Sequence, residues 1–164
     1  MIRERLKQQG LIGELDVRTG RIGAGRPTKY VIPTFSAFEL LGREPPHGRG
    51  GVIHRALQHT VSEGALAKGY NTKVEYRLPT GAIVDVHLEK WQERIAVEIA
   101  VLSKPSREIA HIKQSLEAHY DKIYAVFADT HLLERTSEAL AGEFTDEERA
   151  KIQLLPVSKL TSVG

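Results

Sequence analysis

The chain has 164 residues, of which 41% are hydrophobic and 27% charged, a composition typical of a soluble globular protein with one well-formed core. It contains no cysteine, which excludes disulfides and zinc–thiolate sites and predicts a reducing, cytoplasmic location. No apolar run approaches the ~20 residues that span a bilayer and no signal peptide opens the chain, so we expect no membrane association.

The positive charge is concentrated at the start of the chain. The net charge is only +2, yet residues 1–43 hold eight Lys and Arg against four Asp and Glu, and the remainder is slightly acidic. A local basic excess of this kind favours binding to an anionic partner.

Residues 1–43 are predicted to form a small basic unit. The sequence indicates a helix over 1–9 that ends at Gly10, a strand over 11–17, a Gly-rich basic loop, a returning strand over 29–33 and a short helix over 35–41. This arrangement resembles the back half of a winged-helix domain, in which a basic wing contacts DNA phosphates. The residues that the resemblance places on the wing are Arg18, Arg21, Arg26 and Lys29.

Two other interpretations of this unit stay open. The basic hairpin either lies in solvent or docks on a partner chain. Because a complete winged helix has further helices upstream, we expect either that the chain is part of a longer DNA-processing protein or that the segment packs differently. The Gly- and Pro-rich residues 44–50 are predicted to be a linker, and residues 51–164 a second domain.

The second domain is predicted to be an α/β unit with a mixed sheet. Apolar residues at Ile53, Leu57, Val61 and Ala65 form the stripe of an amphipathic helix over 51–69. Strands follow at 72–78, 82–88 and 94–102, then a helix over 105–120 with Ser103 as its N-cap, a strand over 122–128, helices from residues 130 and 145, and a last strand over 152–157.

Two of these strands each carry one carboxylate in an apolar run. Asp85 lies between Val84 and Val86, and Glu98 lies between Val97 and Ile99. A buried ionised carboxylate is costly unless it is paired or binds a metal, so one alone is best explained by a salt bridge or a strand end. Two on neighbouring strands favour a shared hard cation such as Mg²⁺.

The order of elements, together with these two acids, resembles the core of the PD-(D/E)XK nuclease superfamily, which includes restriction endonucleases and Holliday-junction resolvases. The resemblance implies that Asp85 and Glu98 are ligands of Mg²⁺, for which Mn²⁺ substitutes, and that the Ile99 carbonyl is a further ligand. The family's lysine, two residues after the Glu, is replaced by Ala100, and Lys104 is the nearest substitute.

Other polar residues are candidates for completing the site. We expected Asp85 and His87 to share a face, because alternate residues of a strand point the same way. Residues on the first helix, the first strand and the helix after Glu98 could reach a phosphate or order water. The supporting candidates are His54, Gln58, Glu75, His87, Glu108, His111 and Gln114.

The sequence therefore predicts a Mg²⁺-dependent DNA endonuclease of restriction-endonuclease-like fold, acting in DNA processing, restriction or recombination, with a homodimer as one arrangement. Two alternatives remain. The first is a nuclease fold that has lost catalysis and binds DNA, as Ala100 in the lysine position suggests. The second is a winged-helix regulator whose α/β domain serves dimerisation or ligand sensing.

Overall fold

A computed structural model of the protein describes residues 1–17, 28–43, 49–101 and 103–163. The N-terminal part contains helix α1 (Ile2–Gln8), strands β1 (Ile12–Val17) and β2 (Thr28–Pro33), and helix α2 (Phe35–Leu40). The two strands pair antiparallel, with Ile12 opposite Pro33. Gly10 adopts a φ of 68° directly after α1, as expected for a glycine that ends a helix.

Most of the predicted wing lies outside the described residues. This applies to Arg18, Arg21 and Arg26, whereas the backbone of Lys29 belongs to β2, opposite Asp16. The predicted linker, residues 44–50, is likewise described only at Arg49 and Gly50.

The rest of the chain builds a five-stranded sheet flanked by helices. The strand order is β3-β4-β5-β6-β7; the first three strands pair antiparallel, while β5–β6 and β6–β7 are parallel. The elements are α3 (Val52–Ala67), β3 (Asn71–Arg77), β4 (Ile83–Lys90), β5 (Glu93–Ala100), α4 (Pro105–Glu117), β6 (Lys122–Phe127), α5 (Thr130–Leu140), α6 (Asp146–Lys151), β7 (Ile152–Pro156) and a final 3₁₀-helix (Val157–Ser162). The predicted α/β class with a mixed sheet is confirmed.

Both faces of the sheet are covered, which produces two hydrophobic clusters. On one face Val61 and Ala65 of α3 pack with Val86, Leu88 and Val97. The other cluster is built from α4, α5 and the opposite side of the sheet, and it contains Ala96, Ala100, Ile109, Ile112, Ile123 and Leu132. Full burial of a Leu or Ile side chain contributes about 1.5–3 kcal/mol, so these two clusters fix the helices against the strands.

The N-termini of α6 and α4 are capped differently. Thr145 caps α6, where Glu148 completes a reciprocal capping box. The prediction that Ser103 caps α4 is wrong: the N-cap is Lys104, without a side-chain bond to the helix, because Pro105 occupies the first helical position. No helix within the described residues is long and apolar enough to cross a membrane.

Candidate functional site

A groove of about 530 Å³ opens at the end of the sheet where β4 begins and β5 ends. Its walls come from the first residues of α3, from the strand ends and from one side of α4 between Arg107 and Gln114. Asp85 of β4 and Ile99 of β5 lie on the groove wall, so both acid-bearing strands reach the groove. Glu98 precedes Ile99 and is not among the described residues of the wall, but it lies close enough to Asp85 for that charge to raise the pKa of Glu98.

The carboxylate of Asp85 is held from two directions. The last regular pair between β4 and β5 is Val86 with Val97, so Asp85 and Glu98 stand at the first position beyond the ladder. One oxygen of Asp85, Oδ2, accepts a hydrogen bond of 2.7 Å from the backbone N–H of Ile99. The other, Oδ1, lies 3.0 Å from Nε2 of His54 on α3.

These contacts affect the ionisation of His54. Burial alone would lower the pKa of its imidazole, but the hydrogen bond to Asp85 and the charge of Asp85 outweigh burial and raise the pKa. Gln58, one turn further along α3, is fully buried, and its Nε2 approaches Asp85 at 3.5 Å, the outer limit of hydrogen bonding. Two residues of α3 thus face Asp85.

Glu98 is a buried carboxylate that is only partly satisfied. Its side chain is 2% exposed, and its Oε1 accepts a 3.1 Å hydrogen bond from the hydroxyl of Ser115 on α4. Its Oε2 accepts no hydrogen bond from the described residues, and Nδ1 of His111 lies 3.8 Å away. Burial, and secondly the negative charge of Asp85, hold the pKa of Glu98 well above its usual range.

An orphaned buried carboxylate oxygen beside a second carboxylate fits a divalent cation. Magnesium is commonly bound through one or two carboxylates, with water and substrate phosphate completing its octahedron. Within the described residues no group of three or more His, Cys, Asp and Glu side chains is arranged as a complete metal site. The candidate oxygen donors for a cation are the two acids and the Ile99 carbonyl.

The remainder of the groove wall is mixed in charge. Arg49 and Arg107 contribute guanidinium groups, and the backbone N–H of Arg49 donates to the carboxylate of Glu75. Glu75 has a φ of 52°, an unusual backbone conformation for a residue with a side chain. The buried Glu108 and the exposed Gln114, both on α4, also line the groove. Of the supporting candidates, His54, Glu75, Glu108, His111 and Gln114 lie on this wall.

His87 lies elsewhere, so the expectation that it shares a face with Asp85 is wrong. Its Nδ1 is 2.8 Å from the hydroxyl of Tyr120, and its ring stacks on Tyr76 with centroids 4.4 Å apart. The reason is a break in the alternation of β4, because Val84 and Val86 belong to different core clusters although two residues apart. Burial lowers the pKa of His87, as expected for a histidine that packs in its neutral form.

Residues 100 and 104, the two positions considered for the lysine, lie in different surroundings. Ala100 is 1% exposed within the cluster formed with α4 and α5. Lys104 is exposed at the N-cap of α4, and the described groove wall includes its neighbours Ser103 and Arg107 but not Lys104 itself. In this conformation the ammonium of Lys104 is not one of the groups that form the groove.

Sequence reasoning missed Ser115, Arg49 and Arg107. Ser115 could have been found, because it interrupts the buried stripe that Ile109 and Ile112 form on α4, and a polar residue there needs a partner. The two arginines gave no such signal, since exposed arginines are common and only the fold brings them to the groove.

No protein-family model matches the chain, and none of the curated proteins matches it at a significant level. Among solved structures, it is similar to the crystal structure of a protein of unknown function, AF1548, at 15% identity and a TM-score of 0.40. The match covers 62% of this chain and 56% of the other. A similarity this weak carries no argument about function.

Proposed function

We propose that the protein is a Mg²⁺-dependent DNA endonuclease whose α/β domain is of the restriction-endonuclease-like type. The observation that carries the proposal is the pair of acids at the groove: Asp85, fixed by Ile99, beside Glu98, whose buried Oε2 lacks a hydrogen-bond partner. A buried unsatisfied carboxylate costs stability, and a shared cation would remove that cost. The succession α3, β3–β5, α4, β6 is also the one that the resemblance implies.

The chain's own residues would each have a defined task. Asp85 and Glu98 would hold the cation. The Ile99 N–H would orient one oxygen of Asp85, and the Ser115 hydroxyl would orient one oxygen of Glu98. When bound, the cation supplies Lewis acidity at the phosphate and lowers the pKa of a water. Arg49 and Arg107 at the groove would place the phosphate by charge, without reading base sequence.

A DNA-binding module without catalysis is the second candidate. It is favoured by Ala100, which is buried among apolar side chains, and by Lys104, which faces solvent. Such a module would retain the groove and its arginines while lacking the group that assists attack by water. The basic residues 18–29 would add salt-dependent affinity in either case.

Cleavage of supercoiled plasmid and branched DNA in Mg²⁺ or Mn²⁺ tests both candidates. We expect the wild type to cleave, and Asp85→Ala and Glu98→Ala to lose cleavage while still binding DNA. Glu138→Gln, the same kind of change at an exposed carboxylate of α5 outside the groove, is the matched control and should cleave normally. Lys104→Ala then tests whether that lysine takes part. Salt-sensitive binding without any cleavage by the wild type would reject the nuclease in favour of the binding module.

A further inference from the structure

A second feature of the sheet lies at the end opposite the groove. The turn between β4 and β5 consists of Trp91 and Gln92, and it carries the single tryptophan of the chain. The Trp91 side chain is 91% exposed, and its backbone adopts a φ of 54°. A two-residue hairpin turn requires a positive φ at its first position, so the turn itself sets this conformation and holds the ring out into solvent.

A fixed cation accompanies the exposed ring. The ammonium of Lys90 lies over the Trp91 ring at 5.3 Å from its centroid and over the Tyr70 ring at 5.2 Å. It also donates a 2.8 Å hydrogen bond to the carbonyl of Lys68, which holds it in place. Tyr70 is in turn fixed by its hydroxyl, which donates to Glu93 at 3.2 Å. We call Tyr70, Lys90 and Trp91 the aromatic platform.

We propose that the aromatic platform stacks an unpaired base of a nucleic-acid strand whose backbone also reaches the groove. A flat exposed ring next to a positive charge is the combination on which proteins stack bases, since every base has a π-face and a neighbouring phosphate. The substrate class is then DNA with a single-stranded segment. This step rests on the proposed function, because the groove supplies the second point of contact.

The chemistry around Trp91 favours a base over a protein partner. A protein hot spot normally lies in a well-packed pocket, surrounded by near-neutral contacts that exclude water. Here the neighbouring residues in the chain are polar or charged: Glu89, Lys90, Gln92 and Glu93. Base stacking needs only the ring and its cation, and both are present.

The spacing is compatible with a single bound strand. Asp85 and Trp91 belong to β4 and its following turn, so about 20 Å of extended chain separates them. That span corresponds to roughly six nucleotide steps along a duplex strand. Cleavage would therefore occur a few nucleotides from the unpaired region.

Intrinsic fluorescence offers a direct test, because Trp91 is the sole tryptophan. The full chain carrying Asp85→Asn is titrated in EDTA with a short oligothymidylate and with the matching duplex, and binding is followed in parallel by anisotropy of labelled DNA. We expect the single strand to quench Trp91 on binding and the duplex to leave it largely unchanged. Trp91→Ala should weaken single-strand binding by about 5- to 150-fold, while Trp91→Phe retains most of it.

The controls separate this inference from the proposed function. Val74→Ala, a truncation of another exposed apolar residue of the sheet, should not change single-strand affinity. Single-strand binding without quenching, or unaltered by Trp91→Ala, would overturn the platform, as would no single-strand binding at low salt. A change in self-association of Trp91→Ala, with unchanged DNA affinity, would instead assign the ring to a protein interface. Cleavage assays test the nuclease activity separately. If the wild type cleaves duplex DNA and Trp91→Ala cleaves it equally well, the proposed function stands and the proposal for the aromatic platform is rejected.

Discussion

Replacing Glu98 by glutamine should make the cation-free protein more stable at alkaline pH. The substitution keeps the shape and the oxygen that accepts from Ser115, but it removes the buried charge beside Asp85. An unsatisfied buried group costs about 1–3 kcal/mol and more when it is charged, so exchanging the carboxylate for a neutral amide should recover on the order of 1–3 kcal/mol at pH 8. For a domain of this size that corresponds to a rise in Tm of about 2–12 °C.

The effect should depend on pH in a defined direction. Because the folded state raises the pKa of Glu98, the wild type has the stability of the protonated form below the unfolded pKa of about 4.5. That stability is lost as the pH rises through the folded pKa. Glutamine does not titrate, so the unfolding free energy of Glu98→Gln should exceed that of the wild type at pH 8, and the difference should vanish towards pH 4.

Addition of a divalent cation should make the wild type more stable than Glu98→Gln. A ligand at a hundredfold excess over its Kd stabilises by about 2.7 kcal/mol, and only the wild type retains both acids. Urea unfolding followed by circular dichroism, at pH 5 and pH 8 with EDTA or Mg²⁺, measures both effects. Glu93→Gln removes a carboxylate of the same strand that is paired with Lys122 at 2.7 Å, so it should gain no stability and keep the cation response.

Two results would refute this reasoning. If Glu98→Gln were no more stable than the wild type at pH 8 in EDTA, the buried charge would carry no cost. If Mg²⁺ stabilised Glu98→Gln and the wild type equally, Glu98 would not belong to a cation site.

Three further predictions concern other parts of the molecule. Because the folded state lowers the pKa of His87, the stability that neutral His87 contributes is present above the unfolded pKa of about 6.5 and is lost as the pH falls. His87→Gln should therefore flatten the decline in unfolding free energy between pH 7 and pH 5. Parallel pH profiles of the two proteins in urea unfolding would contradict this. Ile112→Ala, in the core below α4, should cost about 2–5 kcal/mol by urea unfolding, and a loss under 1 kcal/mol would mean that this cluster is loosely packed. Arg107→Gln should reduce the slope of DNA affinity against salt concentration by the equivalent of about one phosphate contact. Arg149→Gln, which removes an arginine paired with Asp146 outside the groove, should leave that slope unchanged. Equal slopes for the two variants would show that Arg107 does not contact DNA.

Much of the sheet could be predicted because its strands carry strong local patterns. The runs around Asp85 and Glu98 are short, rich in β-branched residues and separated by a polar turn, and they form adjacent antiparallel strands as expected. Helices α3 and α4 followed from their apolar stripes. The C-terminal 3₁₀-helix was missed, since about two turns interrupted at Lys159 leave little periodicity in the sequence.

The two acids of the candidate site could be predicted from the sequence, whereas the positions of the residues around them could be predicted only in part. Asp85 and Glu98 stood out because charge is unexpected in an apolar strand. The position of His87 failed because alternation was assumed along all of β4, and no residue type announces the break between Val84 and Val86. Trp91 falls between the two predicted strands, and its exposure is a property of the fold that its residue type does not indicate.

The two acids are supported from opposite faces of the sheet, Asp85 by His54 of α3 and Glu98 by Ser115 of α4. Each helix is positioned by its own hydrophobic cluster, so the separation of the two carboxylates depends on how both clusters pack. A core substitution that shifts either helix by a fraction of an ångström would change the site without unfolding the protein. Tolerance to mutation should therefore be narrower for the chemistry than for the fold, and interior residues far from the groove should be under functional selection.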